Sequence, residues 1–215
     1  MGSFDLPRVL LSLPGIILGL VCHEYAHARM ATSLGDSTPA AEGRLSLNPV
    51  RHIDPLGFLL IVVAGFGWAK PVRFSREGLT HPRRDEILIA LAGPFTNLIL
   101  GVVLAFVLKL SVMAGLGSSG GLGEIVVNIL LYGLFINFGL FVFNLIPIPP
   151  LDGSHVLFQS LRIGEATEAR LYRIGSGALL ALILVQQYAH IDILHIGTAV
   201  NYLAVTSLRL LGLIG

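Results

Sequence analysis

The stretch ILIALAGPFTNLILGVVLAFVLKL, residues 87–110, decides the fold class of this 215-residue chain. Lys109, close to its end, is the charged residue it carries. A helix needs about 20 mostly apolar residues to cross the hydrocarbon of a bilayer. The stretch is therefore predicted to be a membrane-spanning helix.

The composition of the whole chain agrees with this prediction. Hydrophobic residues make up 54% of the chain, charged residues make up 13%, and the mean hydropathy is +0.80. Soluble domains carry about 25% charged residues, so a membrane protein is predicted. The net charge of +1 gives no electrostatic basis for binding nucleic acid. The single cysteine, Cys22, excludes a disulfide within the chain.

Working outward from this helix, further apolar segments extend the prediction to residues 9–30, 124–146, 174–189 and 193–213. Residues 56–68 are also apolar, but they are too few for an ordinary crossing. Residues 42–68 are therefore predicted as a re-entrant or interfacial segment, with a short strand in the alternating RLSLN at 44–48. The predicted fold is an all-α polytopic membrane protein of about five to six transmembrane helices. It forms a single domain, 1–215, with a short cytoplasmic-side β or re-entrant segment between the first two spans.

The distribution of basic residues predicts the orientation. Lys and Arg cluster between the first and second predicted spans and between the third and fourth, whereas residues 111–123 and the link 190–192 have none. Loops rich in Lys and Arg stay in the cytoplasm. Five crossings of the cell membrane with the N-terminus outside satisfy this rule, with Arg8 the one residue against it. The ends of the first and third spans then both lie on the cytoplasmic side.

The polar cluster HEYAH, residues 23–27, lies at the end of the first predicted span. His23 and His27 are four residues apart, so on a helix both rings project from one face, one turn apart. This spacing suits two ligands of one zinc ion, and Glu24 could reach a water molecule there as a general base. A chance match is the alternative. It is disfavoured because ionisable groups are costly inside a membrane.

A catalytic zinc usually has three protein ligands and an open position, so one further ligand is needed. Asp152 is the candidate, in PIPPLDG at 147–153. Its prolines end the preceding helix and its glycine lets the backbone turn. The alternative is that Asp152 caps the helix that follows. The histidine pair, which lacks a third ligand, favours the metal role.

HEYAH in a membrane helix, followed after a later helix by NLIPIPPLDG at 144–153, resembles the site-2 protease family of intramembrane zinc metalloproteases. GRLSLNPVRHIDPLG (43–57), FGWAKPV (66–72) and LAGPFTN (91–97) resemble linking segments of its short members. No PDZ or CBS segment is visible, so the resemblance is to a short form.

The resemblance implies roles for particular residues. His23, His27 and Asp152 would bind one Zn²⁺ per chain, and Glu24 would be the catalytic base. Asn144 would support the substrate or the developing oxyanion, with hydrogen bonding between helices as an open alternative. Asn97 would face inward and support the same site.

The expected function is hydrolysis of peptide bonds within or near transmembrane segments of protein substrates in the lipid bilayer, at a site open to the cytoplasmic side. The alternatives are a membrane metal or proton transporter and a non-catalytic zinc-binding membrane scaffold. Transporters often contain repeats, and the chain has no second copy of the histidine pair. Of the other histidines, His52 is expected at the surface, and the role of His155, beside the ligands or at a helix start, is left open.

Overall fold

The structure is a computed structural model that describes residues 5–64, 67–118, 120–189 and 194–215. Its α-helices are α1 (Leu6–Ser33), α2 (Thr38–Ala41), α3 (Pro49–His52), α4 (Pro55–Ala64), α5 (Pro82–Met113), α6 (Gly121–Asn144), α7 (Asp152–Ser160), α8 (Glu165–Ala189) and α9 (Ile196–Leu210). The predicted link 190–192 lies outside the described residues. So do residue 193 of the last predicted span and residues 65 and 66 of the segment 42–68.

Three of these helices are long and apolar enough to cross a membrane. They are α1, α5 and α6, whose most apolar windows have mean hydropathies of 1.7, 2.3 and 2.3. The all-α class is thus confirmed, but the count of five to six spans is not. Helices α8 and α9 are not among the candidate spans found in the described residues. At about 22 Å, α9 is shorter than the hydrocarbon, which is about 30 Å thick.

Helices α1 and α5 pack through stripes of residues spaced four apart. The buried stripe of α1 is Gly15, Gly19, His23, His27 and Ala31, and that of α5 is Ile89, Gly93, Asn97, Gly101 and Ala105. Small residues in such stripes let two helices approach closely. His27 contacts Ile89. His23, one turn earlier on α1, contacts Asn97, which lies eight residues after Ile89 on α5. The two helices are therefore antiparallel.

Helix α6 runs parallel to α1. A Cβ atom at Gly15 would lie 2.5 Å from Cα of Gly133, so the two backbones nearly touch there. One turn further along both helices, a Cβ atom at Gly19 would lie 2.9 Å from Oδ1 of Asn137. Because α1 and α6 run in the same direction, their C-terminal ends lie on the same side. The chain that follows α6 therefore emerges beside the histidine pair.

The apolar core lies between α5, α6 and α9. Its fully buried members are Ala105, Leu134, Phe138 and Ala204. Of these residues, Ala105 lies on α5, further along that helix than the residues that contact the histidines. They fix α5 and α6 against each other and so provide a scaffold for the site.

The strand predicted at 44–48 is not formed. In the described part of the chain the only β pairing is an isolated bridge between Ile53 and Ala69. Hydrogen bonds from Arg44 take the place of strand pairing here. Its buried guanidinium donates to the carbonyl oxygens of Arg51, Lys70 and Pro71. A side chain, rather than paired backbones, joins the two halves of this segment.

In this segment, the dipeptides Asn48-Pro49 and Asp54-Pro55 each stand at the start of a helix. Asn48 and Asp54 act as N-caps, accepting hydrogen bonds from the N–H groups of Val50 at 3.1 Å and Gly57 at 2.8 Å. Proline suits the first helical position because the N–H it lacks would have no partner there. The second helix, α4, has 10 residues and is about 15 Å long, too short to cross a bilayer.

Candidate metal centre

A cavity of about 620 Å³ opens beside the C-terminal half of α1. His23, Glu24, His27 and Asp152 all line it. The opposite wall is largely apolar and comes from α8, through Leu179, Leu180 and Ile183. The residues predicted to carry the chemistry therefore share one compartment.

Three potential ligand atoms converge within this cavity. Nε2 of His23 lies 3.2 Å from Oδ2 of Asp152, and Nε2 of His27 lies 3.5 Å from the same oxygen. The two Nε2 atoms are 3.0 Å apart. The structure thus brings together the three residues predicted as ligands, although Asp152 is far from the histidines in sequence.

The other nitrogen of each ring fixes the protonation of the pair. Nδ1 of His23 contacts Oδ1 of Asn97 at 2.7 Å, and Nδ1 of His27 contacts the carbonyl oxygen of Ile89 at 2.7 Å. Both oxygens only accept hydrogen bonds, so each Nδ1 carries a proton and donates it. In a neutral ring, Nε2 then presents a lone pair. Both lone pairs face the Asp152 carboxylate.

These atoms fit a metal ion. Oδ2 of Asp152 is buried, and no described residue gives it a hydrogen-bond partner. Two nitrogen lone pairs and a carboxylate oxygen at these separations repel one another unless a cation lies between them. Two imidazole nitrogens and one carboxylate oxygen are a donor set that catalytic zinc sites use.

Asp152 reaches this position as the first residue of α7. The cap of that helix is Leu151, and no side chain accepts a capping hydrogen bond there. The alternative that Asp152 caps α7 is therefore not what the structure shows. Its carboxylate points to the histidines instead.

Gly93 provides the space that the two imidazoles occupy. A Cβ atom at this position would overlap Nε2 of His27 and would lie 2.6 Å from Cε1 of His23. Only a residue without a side chain lets α5 approach the rings this closely. The AGP sequence at 92–94 thus has a steric role at the centre of the site.

Glu24 lies in the same cavity wall, beside the three ligand atoms but not among them. It is buried, and its Oε2 accepts a hydrogen bond of 3.0 Å from the backbone N–H of Val72. The segment after the bridged Ala69 thus orients this carboxylate. Glu24 can therefore serve a water molecule without occupying a ligand position.

The two asparagines predicted to support substrate lie in different places. Asn97 is fully buried behind His23, and its amide donates to the carbonyl oxygen of Gly19 and to Oδ1 of Asn137. Asn144 lines the cavity, and its Nδ2 donates to the carbonyl oxygen of Leu140, one turn back. The structure brings Asn144, but not Asn97, to the cavity surface.

Several contacts of the site are not predicted from the sequence. Asn137 could have been noticed, because it is a polar residue inside an apolar helix. Ile89 and Val72 act through their backbones and give no side-chain signal. His52, expected at the surface, is fully buried, and its Nε2 hydrogen-bonds to the carbonyl oxygen of Ser46. This buried contact with Ser46 depends on how the segment folds, which alternation along the chain does not reveal.

Comparison with known proteins identifies relatives. Residues 117–185 match Peptidase family M50. The chain is 39% identical over 160 residues to YwhC of Bacillus subtilis (strain 168), named as a zinc metalloprotease, and the match covers 73% of each chain. It is 30% identical over 159 residues to Rip2 of Mycolicibacterium smegmatis, also named as a zinc metalloprotease; that match covers 69% of this chain and 56% of the relative. No solved structure gives a significant match.

A shorter match, 33% identical over 79 residues, links the chain to the regulator of sigma E protease of Haemophilus influenzae and covers 34% of this chain and 17% of that protein. The family match begins in the segment before α6 and includes Asp152. The YwhC match extends over nearly three quarters of both chains. Together with the converging histidines and aspartate, these similarities show that the chain belongs to Peptidase family M50, the site-2 proteases.

Proposed function

We propose that this membrane protein is an intramembrane zinc endopeptidase in which His23, His27 and Asp152 hold the metal and Glu24 is the general base. The observation that carries the assignment is the arrangement of protons around the histidine pair. Both Nδ1 atoms donate to fixed acceptors, so both Nε2 lone pairs face the unpaired Oδ2 of Asp152. This is an arrangement that needs a cation.

A zinc ion held by His23, His27 and Asp152 would supply an acidified water molecule and would polarise a substrate carbonyl. Glu24 takes a proton from the attacking water and passes it to the leaving amine. The N–H of Val72 holds Oε2 of Glu24, which leaves the other carboxylate oxygen for the proton. The backbone contact thereby fixes the direction from which the base acts.

Two further residues keep the ligand rings in place. Oδ1 of Asn97 accepts a hydrogen bond from Nδ1–H of His23, and the carbonyl oxygen of Ile89 accepts one from Nδ1–H of His27. Such outer contacts orient histidine ligands and fix their tautomer. We assign Asn97 this positioning role. Asn144, which lines the cavity, is the better candidate for a contact with substrate.

The packing of the three long helices supports a cytoplasmic opening of the site. Since α5 is antiparallel to α1 and α6, successive spans alternate in direction, as the distribution of basic loops requires. The proposed arrangement has five crossings of the cell membrane in a single domain, 1–215, with the N-terminus outside. The ends of α1 and α6, and with them the metal centre, then face the cytoplasm.

The substrates are proposed to be proteins with transmembrane segments, which reach the apolar wall of the cavity from the bilayer. A transporter or a zinc scaffold is not favoured. The relatives are named as proteases, and structural zinc sites usually fill all four positions with protein ligands. Neither alternative gives a purpose to the anchored carboxylate of Glu24.

The test is zinc analysis together with cleavage of a panel of single-span peptides by the purified full chain. The wild-type protein is expected to hold about one zinc per chain and to cleave at least one peptide. Glu24→Gln should keep the zinc and lose cleavage, because glutamine keeps the shape and removes the base. Glu77→Gln, at an exposed position in a short 3-10 turn, is the matched control and should cleave normally.

Two results would count against the proposal. One is undiminished cleavage by Glu24→Gln. The other is a zinc content equal to that of the wild type in the double variant that carries both Asp152→Asn and His27→Gln. Movement of metal across sealed vesicles without peptide cleavage would instead favour the transporter.

A further inference from the structure

His155 lies in the same cavity as the metal centre but is not one of its ligands. It follows Asp152 by three residues on α7, so both side chains project from the same face of that helix. Neighbours at this spacing have Cβ atoms about 5–6 Å apart. His155 therefore lies within reach of a peptide bound beside the metal.

The ring of His155 is held on three sides. Its Nδ1 lies 2.9 Å from Oε1 of Glu86, a carboxylate that is only 1% exposed. Its ring centroid lies 5.3 Å from that of Tyr172 and 6.2 Å from that of Phe74. A side chain with only an incidental surface position would not be held from α5, α8 and the segment before α5 at once.

Arg76 in turn fixes Glu86. The guanidinium donates to both carboxylate oxygens of Glu86, at 2.7 and 3.1 Å, and to Glu168 at 2.8 Å. These two buried carboxylates are already bridged by an arginine, so the group is not assigned to a second metal.

The remaining nitrogen of His155 is free to act in the cavity. A carboxylate only accepts hydrogen bonds, so Nδ1 carries the proton that it shares with Glu86. Within the described part of the chain, Nε2 has no hydrogen-bond partner. The side chain of His155 is 25% exposed and lines the cavity, so the ring is open to it. The structure thus presents an oriented polar atom with no partner in the protein.

We propose that His155 is a substrate-binding residue whose Nε2 accepts a hydrogen bond from a backbone N–H of the bound peptide, with Glu86 and Arg76 as positioning residues. A helical substrate must lose internal hydrogen bonds where it is cleaved, and each N–H freed in an apolar setting needs a new acceptor. His155 supplies one beside the metal centre. The inference rests on the proposed function.

The test measures peptide binding rather than turnover. The parent protein is the zinc-loaded full chain carrying Glu24→Gln, which holds substrate without cutting it. The probe is a fluorescent single-span peptide that the wild-type protein cleaves, and its Kd is measured by anisotropy. His155→Phe keeps the ring packing and removes both nitrogens, so the Kd should rise about tenfold.

Two variants and a control define the mechanism. His155→Gln retains an acceptor group and should recover part of the affinity. Glu86→Gln keeps an acceptor for Nδ1 but removes the charge, so the Kd should rise less than in His155→Phe. The control is His81→Phe, because His81 is an exposed histidine on the same side of the protein. Its Kd, zinc content and Tm should match those of the parent.

A Kd within twofold of the parent in His155→Phe, with full zinc content, overturns the proposal. An equal loss of affinity in His155→Phe, His155→Gln and Glu86→Gln, accompanied by lost zinc or a lowered Tm, also overturns it. A purely structural role of His155 predicts that result. If His155→Phe does not fold, the graded Kd of His155→Gln and Glu86→Gln decides. Failure of the proposed function is distinct, since the wild-type protein would then cleave no peptide.

Discussion

Gly93→Ala is expected to destroy the metal site while leaving the helices intact. The added methyl carbon would lie 2.6 Å from Cε1 of His23 and 2.7 Å from Cε1 of His27. Ordinary contacts begin near 3.4 Å, so each ring would have to retreat by about 0.8 Å. Metal sites tolerate changes in ligand distance of only about 0.2 Å.

The rings cannot retreat freely, because both Nδ1 atoms are tied by hydrogen bonds of 2.7 Å. Stretching each bond costs about 1 kcal/mol, and overpacking a core position costs about 1–3 kcal/mol. A loss of about 3 kcal/mol in metal binding corresponds to more than a 100-fold fall in zinc affinity. The assay is competition for zinc between the purified protein and a chelator of known affinity.

The matched control for this prediction is Gly139→Ala. Gly139 is also a glycine inside a candidate membrane helix, but a Cβ atom there would meet nothing within 4 Å. This variant should bind zinc as the wild type does. If Gly93→Ala binds zinc within threefold of the wild-type affinity and has a normal Tm, the steric account of the site is wrong.

Three other predictions concern contacts around the site. Asn97→Ala leaves the buried ring of His23, a proposed zinc ligand, without its Nδ1 acceptor, so chelator competition should show a 10- to 100-fold weaker zinc affinity. Val72→Pro removes the N–H that holds Glu24, the proposed general base, so kcat should fall about tenfold while zinc content stays at one per chain. Burial favours the neutral form of Asp36, but hydrogen bonds from Thr38 and Ser75 outweigh it and hold the pKa of Asp36 below its usual range. The resulting stabilisation is complete above the unfolded pKa of about 3.9 and is lost as the pH falls through the lower folded value. The Tm difference between wild type and Asp36→Asn should therefore be constant near neutrality and shrink below about pH 4.

Each of these predictions has an internal check. Val72→Ala keeps the backbone N–H, so it should retain kcat, and an equal loss in both Val72 variants would refute the role of the hydrogen bond. Asn201→Ala changes an exposed asparagine on α9 and should not affect zinc binding. A Tm difference for Asp36→Asn that is unchanged down to pH 3 would show that the Asp36 charge does not stabilise the fold.

Much of the site could be predicted from sequence because its signals are local. Hydropathy identified the apolar segments, since crossing a bilayer requires a long uninterrupted run of apolar residues. The spacing of His23 and His27 placed both rings on one helical face. Asp152 was the candidate third ligand because its proline-rich approach ends a membrane helix, and the structure places its Oδ2 at the two rings.

The strand predicted at 44–48 shows where local signals fail. Alternation of polar and apolar residues favours a strand only if a neighbouring strand accepts its backbone hydrogen bonds. Here the guanidinium of Arg44 binds the carbonyls of the adjoining chain instead. The described residues contain three candidate membrane helices, because polar residues at both ends of α8 shorten its apolar run and α9 has only 15 residues.

The sequence alone therefore determined the membrane class, the shared face of the two histidines and the identity of the third ligand candidate. Only the tertiary structure decided that Asp152 faces the histidines rather than capping α7, that Asn97 lies behind His23, and that Val72 holds Glu24. The physical reason is distance along the chain. Hydropathy and helical period act between near neighbours, whereas each of these roles is a hydrogen bond or close approach between segments that meet only when α1, α5 and α6 pack.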